Sequence, residues 1–166
     1  MWWYKMLLVS SVFAGLAFST QVFAAEIKFD SQGCYASSAS MSHLIQHADG
    51  FVSGSFENVN MRLPDQYGNP MMSGHCVGTF TVISGEQELN GTCEFANAAG
   101  DKQFVAFARK GDPAKVEGTI RFLHGTGKYD GINGEGKFKI IGEIPPPGMA
   151  GAFGGCDRGW GTYTVK

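Results

Sequence analysis

From Val116 to Phe122 the chain alternates between two faces: Val116, Ile120 and Phe122 fall on one, and Glu117 and Arg121 on the other. The same period of two recurs in Lys137-Phe138-Lys139-Ile140, with the lysines opposite the apolar pair. Successive side chains of a strand point to opposite faces, so both runs predict half-buried β-strands. Runs rich in aromatic and β-branched residues predict further strands over Phe51 to Met61, Cys76 to Ile83, Glu88 to Phe95, Lys102 to Arg109 and Trp160 to Val165, with a weaker one at Ile27 to Phe29. Ser40 to Ala48 reads as the one helical stretch. Asn90-Gly91 and Asn133-Gly134 read as turns or bulges, because both residue types tolerate positive φ. Ile144 to Gly155, with Pro145, Pro146 and Pro147, reads as a loop. About eight strands is a number that closes a sheet on itself. The expected fold is therefore all-β, a single antiparallel barrel.

The N-terminus departs from this pattern. Lys5 gives a small positive region, Met6 to Phe18 form a short apolar run, and Val22-Phe23-Ala24 precedes Ala25 with compact residues where a signal peptidase needs them. Residues 1–24 are expected to be a cleaved secretory signal, too short in its apolar part to span a bilayer. Residues 25–166 are then one exported domain, in the periplasm or outside the cell. The formal charge of the chain is -2. Without a Lys/Arg cluster it has no electrostatic footprint for nucleic acid or for anionic lipid.

Export changes the reading of the four cysteines, Cys34, Cys76, Cys93 and Cys156. An even number in an oxidising compartment favours disulfides, and four allow three pairings. Cys76 and Cys93 lie symmetrically about Ser84-Gly85, so a hairpin turning there sets them opposite each other. This leaves Cys34 and Cys156 as a second pair that clamps the start of the fold to its end. The rival reading, a metal site, lacks any C-x-x-C spacing.

The glycine-rich Gly125-Thr126-Gly127-Lys128-Tyr129-Asp130-Gly131 invites comparison with a phosphate-binding loop. The motif fails, because Phe122 stands at its first glycine position and Tyr129 follows the lysine. A dinucleotide fingerprint fails too, since a strand rather than a helix follows. The plain reading is a turn between two barrel strands, with Tyr129 and Ile132 pinning it to the core. His43 and His47 would share one helix face, but Leu44 stands where a zinc hydrolase needs glutamate, and two histidines are half a zinc site. His75 and His124 have no partner pattern. There is no Gly-x-Ser-x-Gly, and paired cysteines cannot act as thiol nucleophiles. Asp30, Asp49, Glu94 and Asp130 could pair inside a barrel, but no catalytic residue can be named from the sequence, and nothing in it calls for a cofactor or a metal.

The run from Phe122 to Gly136, FLHGTGKYDGINGEG, resembles the GGTGKYxGIxGxG run of a group of small exported bacterial proteins. Cys76-Val77-Gly78, Gly91-Thr92-Cys93 and Gly100-Asp101-Lys102 are similar to the same group in order and rough spacing. Related glycine-rich runs occur in the allene oxide cyclase and dirigent-like barrels of the wider calycin-like set. The resemblance covers roughly Cys76 to Phe138 and implies an eight-stranded antiparallel barrel. Two departures matter. Asn97-Ala98-Ala99-Gly100-Asp101 stands where the group often carries an Asp-x-Asp-Gly-Asp cluster, which removes two carboxylates that a hard cation would want. His124 replaces the first glycine of the run. The catalytic residues of the cyclases do not line up, so none is carried over.

Aromatic residues are the remaining signal. Phe51, Phe56, Phe80, Phe104, Phe107, Phe122, Phe138 and Trp160 fall in strand candidates. Of these, Phe56, Phe80, Phe104, Phe122, Phe138 and Trp160 are the candidates to line a pocket. A small barrel either fills its interior with such side chains or leaves room for one small ligand. Three functions follow from the sequence. The first is non-enzymatic binding of a small hydrophobic or amphipathic ligand. The others are an allene oxide cyclase-like cyclase or isomerase, and an envelope protein that works through its outer surface.

Overall fold

The structure, a computed structural model, describes residues 24–37, 42–112, 115–143 and 152–166. The proposed signal peptide up to residue 23 lies outside the described residues, as do 144–151 of the proline-rich segment. The strands in chain order are β1 (Ile27–Ser37), β2 (Ser42–Gln46), β3 (Val52–Arg62), β4 (Met72–Ile83), β5 (Glu86–Asn97), β6 (Lys102–Gly111), β7 (Gly118–Gly125), β8 (Asn133–Glu143) and β9 (Phe153–Thr164). From β3 to β9 each strand pairs antiparallel with the next, β9 pairs with β1, and β1 pairs back onto β3. These eight strands make a closed antiparallel barrel. β2 lies outside the closure, paired along the first half of β3 while β1 takes the second half.

The hairpin at Ser84-Gly85 carries out what its residues imply. Ser84 (φ 53°) and Gly85 (φ 85°) both have positive φ, as a two-residue hairpin turn requires, and Ile83 faces Glu86 across it. That register places Cys76 opposite Cys93, and the two form a disulfide with Cα atoms 4.0 Å apart. Cys34 and Cys156 face each other across β1 and β9 and form the second. The last strand is thus bonded to the first, at the point where the ring of strands must close.

Four expectations need correction. Ser40 to Ala48 is not a helix: its described part is strand β2, followed by a 3-10 turn over Ala48–Gly50. An edge of β3 left unpaired by β1 offers a hydrogen-bonding ladder, and that outweighs the weak local helical pattern. His43 and His47 therefore share no helix face, and His47 hydrogen-bonds Ser53 Oγ instead at 2.8 Å. Asn90-Gly91 and Asn133-Gly134 make no turns, since the first lies inside β5 and the second opens β8. Finally, β9 begins at Phe153, inside the segment read as loop. The turn after β7 is as expected: a 3-10 turn over Gly127–Tyr129 whose Tyr129 is 2% exposed, with Ile132 also buried.

Glycines facing aromatic rings set the shape of the interior. Across neighbouring strands Phe56 faces Gly78, Gly54 faces Phe80, Gly74 faces Phe95, Gly91 faces Phe107 and Gly118 faces Phe138. In each case the ring lies over the glycine: a Cβ added at Gly91 would stand 2.3 Å from Phe107 Cζ, and one at Gly118 would stand 2.1 Å from Phe138 Cε1. A ring laid flat along a glycine needs little radial depth. The barrel therefore holds many aromatics without being filled by them.

Candidate functional site

A cavity of about 540 Å³ runs along the barrel axis. That lies within the range of roughly 300–1,000 Å³ of small-molecule sites. Of the six pocket candidates, Phe56, Phe80, Phe122 and Phe138 line it. Phe104 and Trp160 do not. On β6 the inward set is Gln103, Val105, Phe107 and Arg109, so Phe104 points outward and stacks on His124 with ring centroids 5.7 Å apart. On β9 the inward set includes Asp157, Gly159 and Tyr163, and Trp160 lies outside beneath the Arg158 guanidinium.

The end where β1 begins and β9 finishes is closed by packing. Phe29, Phe122, Tyr129 and Tyr163 form one aromatic cluster there, with Phe29–Phe122 centroids at 5.5 Å and Phe122–Tyr163 at 5.2 Å. The segment 63–71 between β3 and β4 lies over this end, anchored to β1 by Leu63 N–H on the Gln32 carbonyl (2.8 Å), by Asn69 Nδ2 on the Lys28 carbonyl (2.9 Å) and by the Asp65 carboxylate. Asp65 accepts hydrogen bonds from the backbone N–H groups of Asp30 (3.0 Å), Tyr67 (2.9 Å) and Asn69 (3.1 Å) and from Asn69 Nδ2 (2.8 Å). Partial burial pushes its carboxyl up, but these donors outweigh that and hold it below the ordinary carboxylate value. Tyr163 donates its phenol to Asn69 Oδ1 at 2.6 Å, which ties the segment to β9.

The middle of the cavity is polar. Asn58 and Asn60 on β3 turn inward, and the carbonyl oxygen of each side chain is buried without a hydrogen-bond partner among the described residues. Arg62, also on β3, crosses to an ion pair with Asp157 of β9. Gly33 of β1 gives it passage, since a Cβ there would stand 2.8 Å from Arg62 Cδ. Burial raises the Asp157 carboxyl above its ordinary value, against the opposing pull of Arg62. The Cys76–Cys93 disulfide forms part of the wall beside Asn58.

At the opposite end, the one turned by Ser84-Gly85, a second aromatic cluster and a buried cation line the cavity. Phe56 stands 6.5 Å from Phe80, 6.4 Å from Phe107 and 6.2 Å from Phe153, and Phe107 meets Phe138 edge-on at 6.2 Å. Arg109 is 5% exposed and lines the cavity beside them. Its Nη2 donates to Gln87 Oε1, while Nε and Nη1 have no partner among the described residues. Burial lowers its pKa, with Tyr35 and Glu143 acting in the other direction. Burial first, and then Glu143 and Asp157, push the Tyr35 phenol up to about 12.

Sequence reasoning did not find Arg109, Asn58, Asn60 or Asp157. Each is a polar residue in a strand, and only the register decides which side of the wall it occupies. Phe29, Phe95, Phe153, Tyr35 and Tyr163 line the cavity as well and were outside the pocket set. The arrangement provides an aromatic chamber whose lining residues include buried donors and acceptors without partners among the described residues. Both cysteine pairs are bonded, so no thiol nucleophile faces the cavity. Among the described residues no group of three or more His, Cys, Asp or Glu could hold a metal ion.

No family model matches the chain, and no curated protein matches it in sequence. Among solved structures it is similar to the pterocarpan synthase dirigent protein GePTS1, with a TM-score of 0.53 and 11% identity over 85% of this chain and 87% of that one. The pterocarpan synthase dirigent protein PsPTS1 is similar at a TM-score of 0.50 and 11% identity, over 84% of this chain and 96% of that one. At that identity the likeness is one of architecture: the chain shares the closed eight-stranded antiparallel barrel of dirigent proteins.

Proposed function

We propose that this protein binds a small amphipathic molecule inside its barrel and releases it unchanged. The observation that carries this reading is a chamber walled by aromatic rings in which Asn58 Oδ1, Asn60 Oδ1 and two nitrogens of Arg109 are buried with no partner among the described residues. Each buried unsatisfied group costs about 1–3 kcal/mol, more when charged. A ligand that supplies the missing partners recovers that cost on binding. Titration with the neutral fluorogenic probe N-phenyl-1-naphthylamine tests the apolar half of the reading. Saturable binding of one probe per chain is expected, and no binding at any accessible concentration would end it.

One observation favours a second reading, a cyclase or isomerase: Asp157 is a buried carboxyl in the cavity wall whose pKa is raised, a suitable group to hold or pass a proton. Chromatography separates the two readings. A binder returns a co-purified molecule unchanged after long incubation, whereas an isomerase converts it and loses that ability as Asp157→Asn.

The protein is also proposed to work outside the cytoplasm after loss of residues 1–24. The leader pattern supports this, and so do two disulfides, bonds that persist in oxidising compartments. The intact mass of exported protein should correspond to a chain starting at Ala25.

A further inference from the structure

The binding reading leaves the chemistry of the ligand open, and Arg109 narrows it. A guanidinium carries five N–H groups in a fixed fork, matched to two oxygens of one anion. Gln87 takes one hydrogen of Nη2 and leaves Nε and Nη1 without partners among the described residues. Because Nη2 bears two hydrogens, one complete two-hydrogen fork stays without a partner among the described residues. Among the described residues Arg109 has no ion pair, although Arg62 nearby in the same cavity has one with Asp157. Glu143, the carboxylate whose charge acts on Arg109, is exposed at the cavity wall and forms no salt bridge with it. A buried cation without a counter-ion is among the more expensive features a fold can retain.

We propose that the ligand is an amphipathic organic anion, a carboxylate or sulfonate on an aromatic or alicyclic body, with its acidic head on the open fork of Arg109. The body lies among Phe56, Phe80, Phe107, Phe138 and Phe153, which cluster at the same end of the cavity that Arg109 lines. Asn58 and Asn60 stand farther along the cavity and accept from a hydroxyl or amide N–H on the distal part of the ligand. This rests on the binding reading and gives it a charge, a polarity and an orientation.

The test compares two probes with one ring skeleton, 1-anilinonaphthalene-8-sulfonate and N-phenyl-1-naphthylamine, the second lacking only the sulfonate. The mature, oxidised wild type should bind the sulfonate more tightly. Arg109→Gln should weaken the sulfonate by about 10- to 100-fold, the scale of hydrogen bonds to a charged group, and leave the neutral probe unchanged. The unliganded variant should also resist denaturant at least as well as wild type, because the substitution removes an uncompensated buried charge. If both proteins bind the two probes equally, or Arg109→Gln does not affect the sulfonate, the anion inference is overturned while cavity binding stands. If Arg109→Gln loses both probes, Arg109 is structural and the inference is again overturned. If neither probe binds wild type, the binding reading falls and takes the inference with it.

Discussion

Replacing Gly74 by alanine isolates the packing rule that keeps the barrel open. The new Cβ would stand 2.3 Å from Phe95 Cδ1, 2.5 Å from Phe95 Cε1 and 3.0 Å from the Glu94 carbonyl oxygen. Cδ1 lies close to the root of its side chain, so the ring cannot clear the methyl by bending at its tip. It has to leave a site where it is 5% exposed and carries Arg62 5.6 Å from its centroid. Gly74 lies in β4 without a positive φ, so the exchange would otherwise stabilise by about 0.5–1 kcal/mol through the unfolded chain. Overpacking a tight interior costs about 1–3 kcal/mol. The net loss expected for Gly74→Ala therefore lies between about 0 and 2.5 kcal/mol, centred near 1, by these two opposing effects. In a Phe95→Ala background the ring clash is gone and only the 3.0 Å approach to the Glu94 carbonyl oxygen remains, so the cost of Gly74→Ala should fall by about 1 kcal/mol or more. Urea unfolding of the wild type, both single variants and the double variant gives the coupling directly. A stabilising Gly74→Ala in the wild type, or an equal cost in both backgrounds, would refute the reasoning.

The Cys34–Cys156 bond closes a separation of 122 residues, for which chain entropy gives about 5 kcal/mol. The paired alanine variant should lose stability on that scale in urea, and a loss below about 1 kcal/mol would contradict its role as the clamp on barrel closure. Asp65 has a carboxyl held low in the folded state, so its contribution is full above the unfolded value and is lost as pH falls through the lower folded value. Asp65→Asn should therefore flatten the acid limb of the stability-versus-pH curve, and an unchanged limb would show that segment 63–71 is held by other contacts. Phe138→Ala should change the affinity for N-phenyl-1-naphthylamine whereas Phe104→Ala should not, because only the first ring faces the cavity. Arg158 and Asp30 form an exposed two-point pair at 2.6 Å, and Arg158→Ala should leave the urea midpoint nearly unchanged.

The sequence shows most of the barrel's walls and little of its interior. Strand positions were legible because Val116 to Phe122 and Lys137 to Ile140 alternate cleanly, and the first disulfide followed from the Ser84-Gly85 turn. The site was harder to read because inward positions here are not uniformly apolar. On β6 the faces are Gln103, Val105, Phe107, Arg109 and Lys102, Phe104, Ala106, Ala108, Lys110. The two lysines flanking the second set were the available sign that Phe104 points outward, and Arg109 on the first set obscured it. On β9 the inner face carries Gly159 and Gly161; Gly161 leaves room for the Phe29 ring of β1, and Gly159 faces Ile120 and Arg62. A glycine face looks empty to any count of hydrophobic residues, so from sequence Trp160 reads as the inward residue. Asn90-Gly91 misled for the same reason: Gly91 serves the Phe107 ring and not a turn.

Native mass spectrometry of the exported protein, set beside the same sample after denaturation, tests most directly whether the barrel holds a ligand. The expected native mass exceeds that of the oxidised chain by one small acidic molecule, lost on denaturation and detected as an anion. A native mass equal to the bare oxidised chain would contradict it.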